Sequence, residues 1–591
     1  MTVDQKLSAL RTIMKKNNMD AIIIPTGDPH QSEYIAACWQ ERIWISGFTG
    51  SAGWVVVTSD HAGLWTDSRY FLQAEMELKG TSFVLHKMVN QFGAQYVDYL
   101  AENLPSGSTV SINGLLFSRS AVESIKKTFS VYNINLNHRS DLMAELWKNK
   151  PLVSDSEIEI HDTKYTGKEV SEKLDAVRAG MTAAGADYHL ITALDDLAWT
   201  FNIRGRDVDF NPVVTGYAVI GREASHFFVS PGRVGSKLKS VFNKNKVKIH
   251  AYDDLISFLN NLKEKETILV DPAICSQAVY EAINGTVISG GSIPKSLKAI
   301  KNKTEISHIR NAMKKDGAAL AHAFQWLEQQ LHDGRTPTEV DVVQKLAQCR
   351  SNQKLYQGES FSAIVGYRDN GAIIHYHPEA GKCKTIHPEG ILLVDSGGQY
   401  TDGTTDITRT FTLGHTTEEH KRSYTLVLKG MIALTLARFP EGTTGMQLDT
   451  FARQFLWSEG MNYGHGTGHG VGYFLNVHEP PQGFTPALSE RGKTVHTAGM
   501  LTSNEPGFYK EGEYGIRIEN LVVTTPSGIP GFLEFETVTL YPFEHALIDK
   551  SRLTKDEIRW INQYHARVYA TVSPLLKGDL RAWFKNKCRK V

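Results

Sequence analysis

A helical pattern followed by a buried-strand pattern opens the chain, and the same order returns 167 residues later. The segment beginning at Lys6 has apolar residues at the spacing of an amphipathic helix and leads to the apolar run at 21–24. The segment beginning at Lys173 repeats its Lys, Leu, Ala, Arg, Met and Asp at one offset and leads to 188–191. A chance recurrence of helix and strand is the alternative. The matching residues favour duplication, and we predict two related α/β domains.

The pattern changes after the second copy. Polar stretches that end at Pro151 and cover 299–304 predict the domain boundaries. Helical spacing follows over 305–330, and the remaining sequence is rich in glycine and histidine. The length is compatible with three or four domains of ordinary size. We predict three domains: 1–150, 151–302 and 303–591.

Two aspartates accompany strand patterns in the third domain. The apolar run 391–394 ends in Asp395 and a glycine turn, and Asp406 opens the alternating run 405–412. A hairpin between the two runs would bring the carboxylates together. With no obvious basic partner they would repel each other unless a cation lay between them. A pair of solvated turn aspartates is the alternative interpretation.

Histidines cluster in a glycine-rich segment further along. His465 and His469 lie among the five glycines of 464–472, and His478 follows shortly after. The glycine spacing does not match a dinucleotide-binding fingerprint, and Gln482 excludes the zinc motif H-E-x-x-H. A single histidine is usually structural, but three in such a segment indicate a site, because glycine lets the backbone approach a bound group closely.

Two glutamates complete the candidate set. Glu505 precedes Pro506, which favours an extended backbone, and Glu519 alternates with Arg517 in a strand pattern. A solvent-facing strand edge is the alternative for this last pair. The set contains two Asp, one His and two Glu. Carboxylate ligands suit Mn²⁺ or Mg²⁺, and the single imidazole extends the range of suitable metals to Co²⁺ or Zn²⁺. Four buried carboxylates would balance two divalent cations, whereas one cation would leave about two negative charges unbalanced.

Composition narrows the class of protein. Hydrophobic residues make up 41% of the chain, as in globular proteins, and 64 basic residues balance 64 acidic ones. A neutral chain argues against nucleic acid or an anionic membrane as partner. Five widely spaced cysteines, with no C-x-x-C, indicate reduced thiols. Without a signal-peptide pattern or a long apolar run, we expect a cytoplasmic protein.

These motifs, taken as a set, resemble those of the pita-bread metallopeptidases, and most closely those of the Xaa-Pro aminopeptidase (aminopeptidase P) family. The resemblance spans the whole chain and implies an α/β (α+β) architecture, with two creatinase-like N-terminal α/β domains before a pita-bread catalytic domain. It rests on Asp395 with Asp406, the His-Gly-Thr-Gly-His stretch 465–469, Val477-His478-Glu479, Asn504-Glu505-Pro506-Gly507 and Gly515-Ile516-Arg517-Ile518-Glu519.

The resemblance also implies how the two cations are held. Asp395 would bind one metal, His469 and Glu505 would bind the second, and Asp406 and Glu519 would bridge both. Mn²⁺ is the expected metal, with Co²⁺ or Zn²⁺ possible. All five ligand positions are filled in this sequence.

The remaining roles are implied by the resemblance in the same way. A hydroxide between the metals would attack the first peptide carbonyl. His375 would steady the resulting intermediate, and His478 would assist proton transfer to the leaving proline nitrogen, with Glu505 as the rival for that proton. His465 and Arg517 would orient ligands or substrate.

The implied activity is removal of the N-terminal residue from peptides with proline in second position, by a homodimer. Prolidase, which cuts X-Pro dipeptides, is one alternative, although it typically lacks the second duplicated domain. Methionine aminopeptidase would lack both preceding domains. A non-enzymatic binding module of the same fold is the alternative from another class, but such relatives have typically lost metal ligands.

Overall fold

The computed structural model describes residues 1–88 and 93–591. These residues form two compact units, which we call the N-terminal unit (Met1–Thr163 with Lys168–Lys295) and the C-terminal unit (Lys164–Gly167 with Ser296–Val591).

The first half of the N-terminal unit is a six-stranded sheet with strand order β4-β3-β2-β1-β5-β6. The amphipathic pattern after Lys6 forms α1, which begins behind the capping residue Thr2 and buries Leu7, Leu10 and Met14. The elements are β1 Ala21–Pro25, β2 Trp54–Thr58, β3 Ala62–Thr66, β4 Val84–Lys87, β5 Thr109–Ser111, β6 Asn135–Asn137, α1 Val3–Lys16, α2 Glu41–Ser46, α3 Phe71–Glu77, α4 Gln95–Asn103, α5 Arg119–Val131 and α6 Leu142–Leu146.

The second half repeats this topology, with strand order β12-β11-β10-β8-β13-β14. In each sheet the strand that follows the amphipathic helix pairs antiparallel on one side and parallel on the other. The shared order bears out two related α/β domains. The elements are β7 Glu159–Ile160, β8 Tyr188–Ile191, β9 Ile203–Arg204, β10 Tyr217–Gly221, β11 Ser225–Phe228, β12 Val247–His250, β13 Thr267–Val270, β14 Thr286–Ser289, α8 Val170–Ala184, α9 Leu194–Thr200, α10 Ser236–Lys244, α11 Asp254–Asn260 and α12 Gln277–Glu281. Helix α7 Thr163–Thr166 belongs, apart from Thr163, to the C-terminal unit, and α13 Ile293–Ala299 begins in one unit and ends in the other.

The C-terminal unit packs long helices against several antiparallel sheets around one large hydrophobic core and one smaller one. Its helices are α14 Lys303–His332, α15 Glu339–Ser351, α16 Glu418–Thr435, α17 Gly445–Trp457, α18 Glu490–Lys493, α19 Lys555–Val572 and α20 Gly578–Lys587. Its strands are β15 Tyr356–Glu359, β16 Ile364–Tyr367, β17 Ile391–Ser396, β18 Gly398–Tyr400, β19 Gly403–Thr404, β20 Ile407–Thr412, β21 Phe439–Pro440, β22 Gly468–Gly470, β23 Glu479–Phe484, β24 Leu501–Asn504, β25 Gly507–Lys510, β26 Tyr514–Arg517, β27 Asn520–Pro526 and β28 Phe532–Thr537.

Two sheets of this unit matter for the candidate site. One has the order β16-β17-β20, and the other has the order β21-β28-β27-β24-β22-β23. Strands β17 and β20 pair antiparallel with Asp395 opposite Thr408, so the two predicted strands do meet. The connection between them is not a simple hairpin, because β18 and β19 leave to form another sheet with β15.

The long helix predicted over 305–330 is α14, which runs two residues further at each end. It begins with a capping box in which Asn302 and Glu305 each accept the other's backbone N–H. The domain boundaries at 150 and 302 stay predictions. Across the described residues, every helix is too short or too polar to traverse a lipid bilayer.

Candidate metal centre

Neighbouring strand ends bring the predicted metal ligands together. In the six-stranded sheet β22, β24 and β27 are adjacent, so His469 on β22 lies near Glu505 and Glu519, which border the other two strands. The N–H of Glu519 donates to the carbonyl of Thr408 at 3.1 Å, which joins this sheet to β20. Asp395 lies near the end of β17 and Asp406 immediately precedes β20, and these two strands pair with Ser396 opposite Ile407, so both aspartates lie at the same end of the sheet.

The geometry of the cluster suits a cation. His469 Nε2 lies 3.3 Å from Glu505 Oε1 and 3.5 Å from Asp406 Oδ2. One ligand atom each from Asp406, His469 and Glu519 fall within 4.8 Å of one another, and all three residues are buried. His469 Nδ1 lies 2.9 Å from the carbonyl of Gly470, and donation to that oxygen leaves Nε2 with its lone pair towards the carboxylates.

Two carboxylate oxygens in this cluster lack hydrogen-bond partners. Among the described residues nothing donates to Asp395 Oδ1 or to Glu519 Oε1, although both atoms are buried. Their sister oxygens are occupied: Arg517 Nη2 donates to Asp395 Oδ2 at 2.6 Å, and the hydroxyl of Thr408 donates to Glu519 Oε2 at 2.9 Å. Buried acceptors without donors are costly, and a cation would satisfy them. The residues therefore fit a metal centre.

The pKa values of three carboxyl groups in this cluster are raised, as expected when carboxylates are buried close together. Burial, reinforced by Glu519 and Asp395, raises the pKa of Asp406 well above its usual range. Burial, reinforced by Glu505 and Asp395, does the same to the pKa of Glu519. Burial raises the pKa of Glu505 to about 7, against the opposing charge of Arg517. Each shift expresses first the cost of burying a charged carboxylate and second the repulsion from neighbouring carboxylates.

Arg517 excludes one alternative interpretation of the sequence and corrects one expectation. It is 2% exposed, so the strand edge that carries it does not face solvent. It also pairs with Asp395, which the sequence analysis expected to lack a basic partner. The partner was missed because it lies 122 residues away in sequence. Four carboxylates with one guanidinium leave three negative charges rather than four, so charge alone does not choose between one cation and two.

Tyr509 is a site residue that the sequence analysis missed. Its hydroxyl accepts from Arg517 Nη1 at 2.7 Å and lies 2.8 Å from His465 Nε2. His465 Nδ1 lies 2.8 Å from the carbonyl of Gly466, so donation there leaves Nε2 to accept from the tyrosine. A chain of hydrogen bonds thus runs from His465 to Asp395. The pairing of β25 with β26 brings Tyr509 close to Arg517.

The other two predicted histidines border this centre. The ring of His478 lies against that of His469, with centroids 4.2 Å apart and planes nearly perpendicular. His375 follows Ile374, whose carbonyl oxygen lies 3.4 Å from Arg517 Nη2. His375, His465 and His478 are all partly exposed, unlike the buried His469. The three side chains are therefore accessible from outside the buried cluster.

Close backbone approach explains the glycines around His469. A Cβ on Gly468 would overlap the carbonyl oxygen of Ser503 on β24. The hydroxyl of Ser503 accepts from the N–H of His469 at 2.9 Å and donates to Glu505 Oε1 at 3.0 Å. Glycine at 468 therefore lets the two ligand-bearing strands lie side by side.

Glu479, directly after His478, is a buried charge with two buried cationic neighbours. Its side chain is 1% exposed, it forms an ion pair with Lys301, and Lys298 Nζ lies 3.9 Å from its Oε2. Both ammonium groups are buried as well. The network anchors the start of β23 and hence the backbone beside His478.

Glu479→Gln is expected to lower the free energy of unfolding by about 3–5 kcal/mol, because it removes the carboxylate that faces two buried ammonium groups. Glu379→Gln is the matched control: its pair with Lys382 is exposed and should be worth less than about 1 kcal/mol. Urea unfolding of both variants measures the difference. Equal effects would contradict a stabilising role of the Glu479 network.

Comparison with known proteins agrees with this site. The model of metallopeptidase family M24 matches residues 307–526, and that of the C-terminal region of the M24 peptidases matches 531–591. The creatinase/prolidase N-terminal domain matches twice, at 6–143 and 149–305. The chain therefore belongs to metallopeptidase family M24. The predicted fold class, two creatinase-like domains followed by a pita-bread catalytic domain, is confirmed. The predicted enzyme class, a metal-dependent hydrolase, is confirmed as well.

Within that family the chain belongs to the Xaa-Pro aminopeptidase (aminopeptidase P) group. It is 39% identical to aminopeptidase P2 of Arabidopsis thaliana, over 100% of this chain and 89% of the relative. It is 38% identical to Xaa-Pro aminopeptidase 1 of Dictyostelium discoideum, over 100% and 97%. The structure of X-prolyl aminopeptidase from Caenorhabditis elegans, described as a cytosolic enzyme with a di-nuclear active site, superposes with a TM-score of 0.95 at 34% identity, covering 100% of both chains.

Proposed function

We propose that this protein removes the N-terminal residue from peptides whose second residue is proline, using two divalent cations. The observation that carries the proposal is the cluster in which ligand atoms of Asp406, His469 and Glu519 lie within 4.8 Å of one another, with Glu505 Oε1 3.3 Å from His469 Nε2. Two buried carboxylate oxygens beside it, Asp395 Oδ1 and Glu519 Oε1, have no donor among the described residues. The relatives that match the chain from end to end are named for this activity. An Xaa-Pro dipeptidase from Bacillus anthracis shares the fold over only 64% of this chain.

We assign the cations to the donors named above. Asp395 would bind one, His469 and Glu505 the other, and Asp406 and Glu519 both. Carboxylate oxygens with one imidazole suit Mn²⁺, and Co²⁺ or Zn²⁺ are the alternatives. When bound, such cations supply Lewis acidity and a hydroxide nucleophile at neutral pH, so no serine or cysteine nucleophile is needed.

The chain's own residues orient this chemistry. Arg517 donates from Nε and Nη2 to Asp395 Oδ2 and from Nη1 to the hydroxyl of Tyr509. That hydroxyl is in turn hydrogen-bonded to His465 Nε2. The hydrogen-bond chain fixes the side chain of Asp395 and keeps the Nε2 of His465 an acceptor. Arg517 and His465 are thus orienting residues.

Proton transfer and stabilisation of the reacting carbonyl fall to the partly exposed residues. His478, beside His469, is assigned proton transfer to the departing proline nitrogen. Glu505 is the rival for that proton, because its carboxylate belongs to the same centre, with Oε1 3.3 Å from His469 Nε2. His375 is assigned to the oxyanion that develops as the carbonyl is attacked.

Hydrolysis of Arg-Pro-Pro by metal-stripped protein, with and without Mn²⁺, tests the proposal. An X–Pro bond is a tertiary amide without an N–H, so Arg-Ala-Pro is the control for proline in second position. We expect metal-dependent release of arginine from Arg-Pro-Pro and little from Arg-Ala-Pro. Cleavage of the dipeptide Ala-Pro alone would indicate a prolidase. Metal binding without cleavage of any of these peptides would indicate a binding module.

We also propose a cytoplasmic homodimer with peptides as partners, and neither nucleic acid nor membranes. The balance of 64 basic and 64 acidic residues supports the absence of polyanionic partners. Sedimentation equilibrium should give about twice the chain mass of 65.9 kDa. A mass of one chain at all concentrations would overturn the dimer.

A further inference from the structure

Glu339 is a buried carboxylate that collects donors from one loop. It lies in the first turn of α15, outside the metal centre, and is fully buried. One oxygen accepts from the N–H of Tyr367 at 2.7 Å and from the side-chain amide of Asn370 at 3.0 Å. The other accepts from the hydroxyl of Tyr376 and from the N–H of Lys384, both at 2.8 Å. These contacts occupy both oxygens of a carboxylate.

All four donors come from the segment 367–384, which contains His375. Tyr376 is the next residue after His375, so one of the hydrogen bonds acts directly beside it. The opposite side of the segment is held against β26, the strand that carries Arg517: a Cβ on Gly515 would overlap the carbonyl oxygen of Gly371, and one on Gly371 would be a tight 3.1 Å from the backbone nitrogen of Gly515. His375 therefore lies on a segment fixed on one side by Glu339 and on the other by β26.

We propose that Glu339 is a positioning residue for His375. This inference rests on the proposed function, which gives His375 its role at the reacting carbonyl. A segment between two elements has several ways to shift, and a donor displaced by about 1 Å can cost roughly 100-fold in rate. A single carboxylate that ties four groups of this segment to the rigid start of α15 removes that freedom.

Glu339→Gln disrupts the network in either orientation of the new amide. If the new NH₂ group takes the place of Oε2, the N–H of Lys384 loses its acceptor. If it takes the place of Oε1, the N–H of Tyr367 loses its acceptor. A buried donor without an acceptor is unfavourable, so the segment is expected to move. Tyr376→Phe is a milder variant that removes one donor and leaves both backbone N–H groups paired.

The test is a double-mutant cycle with Arg-Pro-Pro as substrate. His375→Ala is expected to lower kcat about 100-fold, as loss of an oxyanion donor does. Glu339→Gln should lower kcat about 10- to 30-fold with KM changed less than about threefold, and Tyr376→Phe less than Glu339→Gln. In the His375→Ala background, Glu339→Gln should lower kcat by no more than about threefold further, because its effect passes through His375.

The control is Glu557→Gln. Glu557 is another buried carboxylate, in the first turn of α19, and it accepts hydrogen bonds from Lys429 and from the N–H of the capping residue Thr554. The substitution should leave kcat unchanged. Full additivity of Glu339→Gln with His375→Ala would overturn the proposal and make Glu339 a purely structural residue. An unchanged kcat in Glu339→Gln, or in His375→Ala, would overturn it as well, while wild-type hydrolysis would still stand.

A readout without activity separates this inference from the proposed function. Hydrogen–deuterium exchange across 367–384 should rise in Glu339→Gln and stay at the wild-type level in Glu557→Gln. If the wild-type protein cuts no peptide, the proposed function fails, and exchange still decides whether Glu339 holds the segment. Unchanged exchange in Glu339→Gln would overturn the positioning role.

Discussion

Replacing Glu519 with glutamine is expected to lower kcat for Arg-Pro-Pro by about a thousandfold or more and to reduce the metal bound per chain. Its Oε2 accepts from Thr408, whereas among the described residues its Oε1 is a buried acceptor with no donor. Glutamine keeps the shape but removes the charge that a cation would need. A metal contributes several kcal/mol to the transition state, and about 4 kcal/mol is a thousandfold.

Steady-state kinetics and metal analysis of the dialysed protein measure both parts of this prediction. Glu557→Gln removes a buried carboxylate of the same type elsewhere and should keep the wild-type rate and metal content. A Glu519→Gln variant with more than about a tenth of wild-type kcat and full metal content would contradict the assignment, because a bridging ligand cannot be lost without disturbing the centre.

The candidate ligands were predictable because each stands in a local pattern. Asp395 ends an apolar strand run, and His469 lies among glycines that its strand needs for close backbone contact. The duplication was predictable in the same way, because the helix pattern, the strand pattern and several matching residues recur in the second copy at one constant offset. These signals survive in a single sequence because they depend on a few neighbouring residues.

What could not be predicted depends on contacts between distant segments. Whether Arg517 faces solvent or Asp395 is decided by the packing of β26 against β17 and β20, more than a hundred residues earlier, where the N–H of Arg517 donates to the hydroxyl of Thr410. Tyr509 has no motif of its own and gains its place from the turn between β25 and β26. Glu339 reads in sequence as an ordinary acidic residue in the first turn of a helix, a position that favours such residues in any case. Only the fold shows that it faces the segment of His375.

The metal-free protein is expected to lose stability as the pH rises from about 4.5 to about 7, and Mn²⁺ is expected to remove that loss. Burial raises the pKa of Glu505 from 4.5 to about 7, and it raises those of Asp406 and Glu519 as well. The folded state therefore binds more protons than the unfolded state within this range. Stability is highest below the unfolded pKa and falls as the pH passes the raised one, by on the order of 3 kcal/mol for Glu505 alone.

Thermal unfolding of the full chain between about pH 5 and about pH 7.5, in chelator or in Mn²⁺, measures the effect. In chelator the midpoint should fall with pH. In Mn²⁺ it should stay level or rise, because cations bind the deprotonated carboxylates and stabilise the folded state by mass action. Glu519→Gln should flatten both responses, since it removes one raised carboxyl and one ligand. A metal-free midpoint that rises over this range would mean that the carboxylates already have enough positive charge around them, and the case for cations at this site would then rest on the two donor-free oxygens alone.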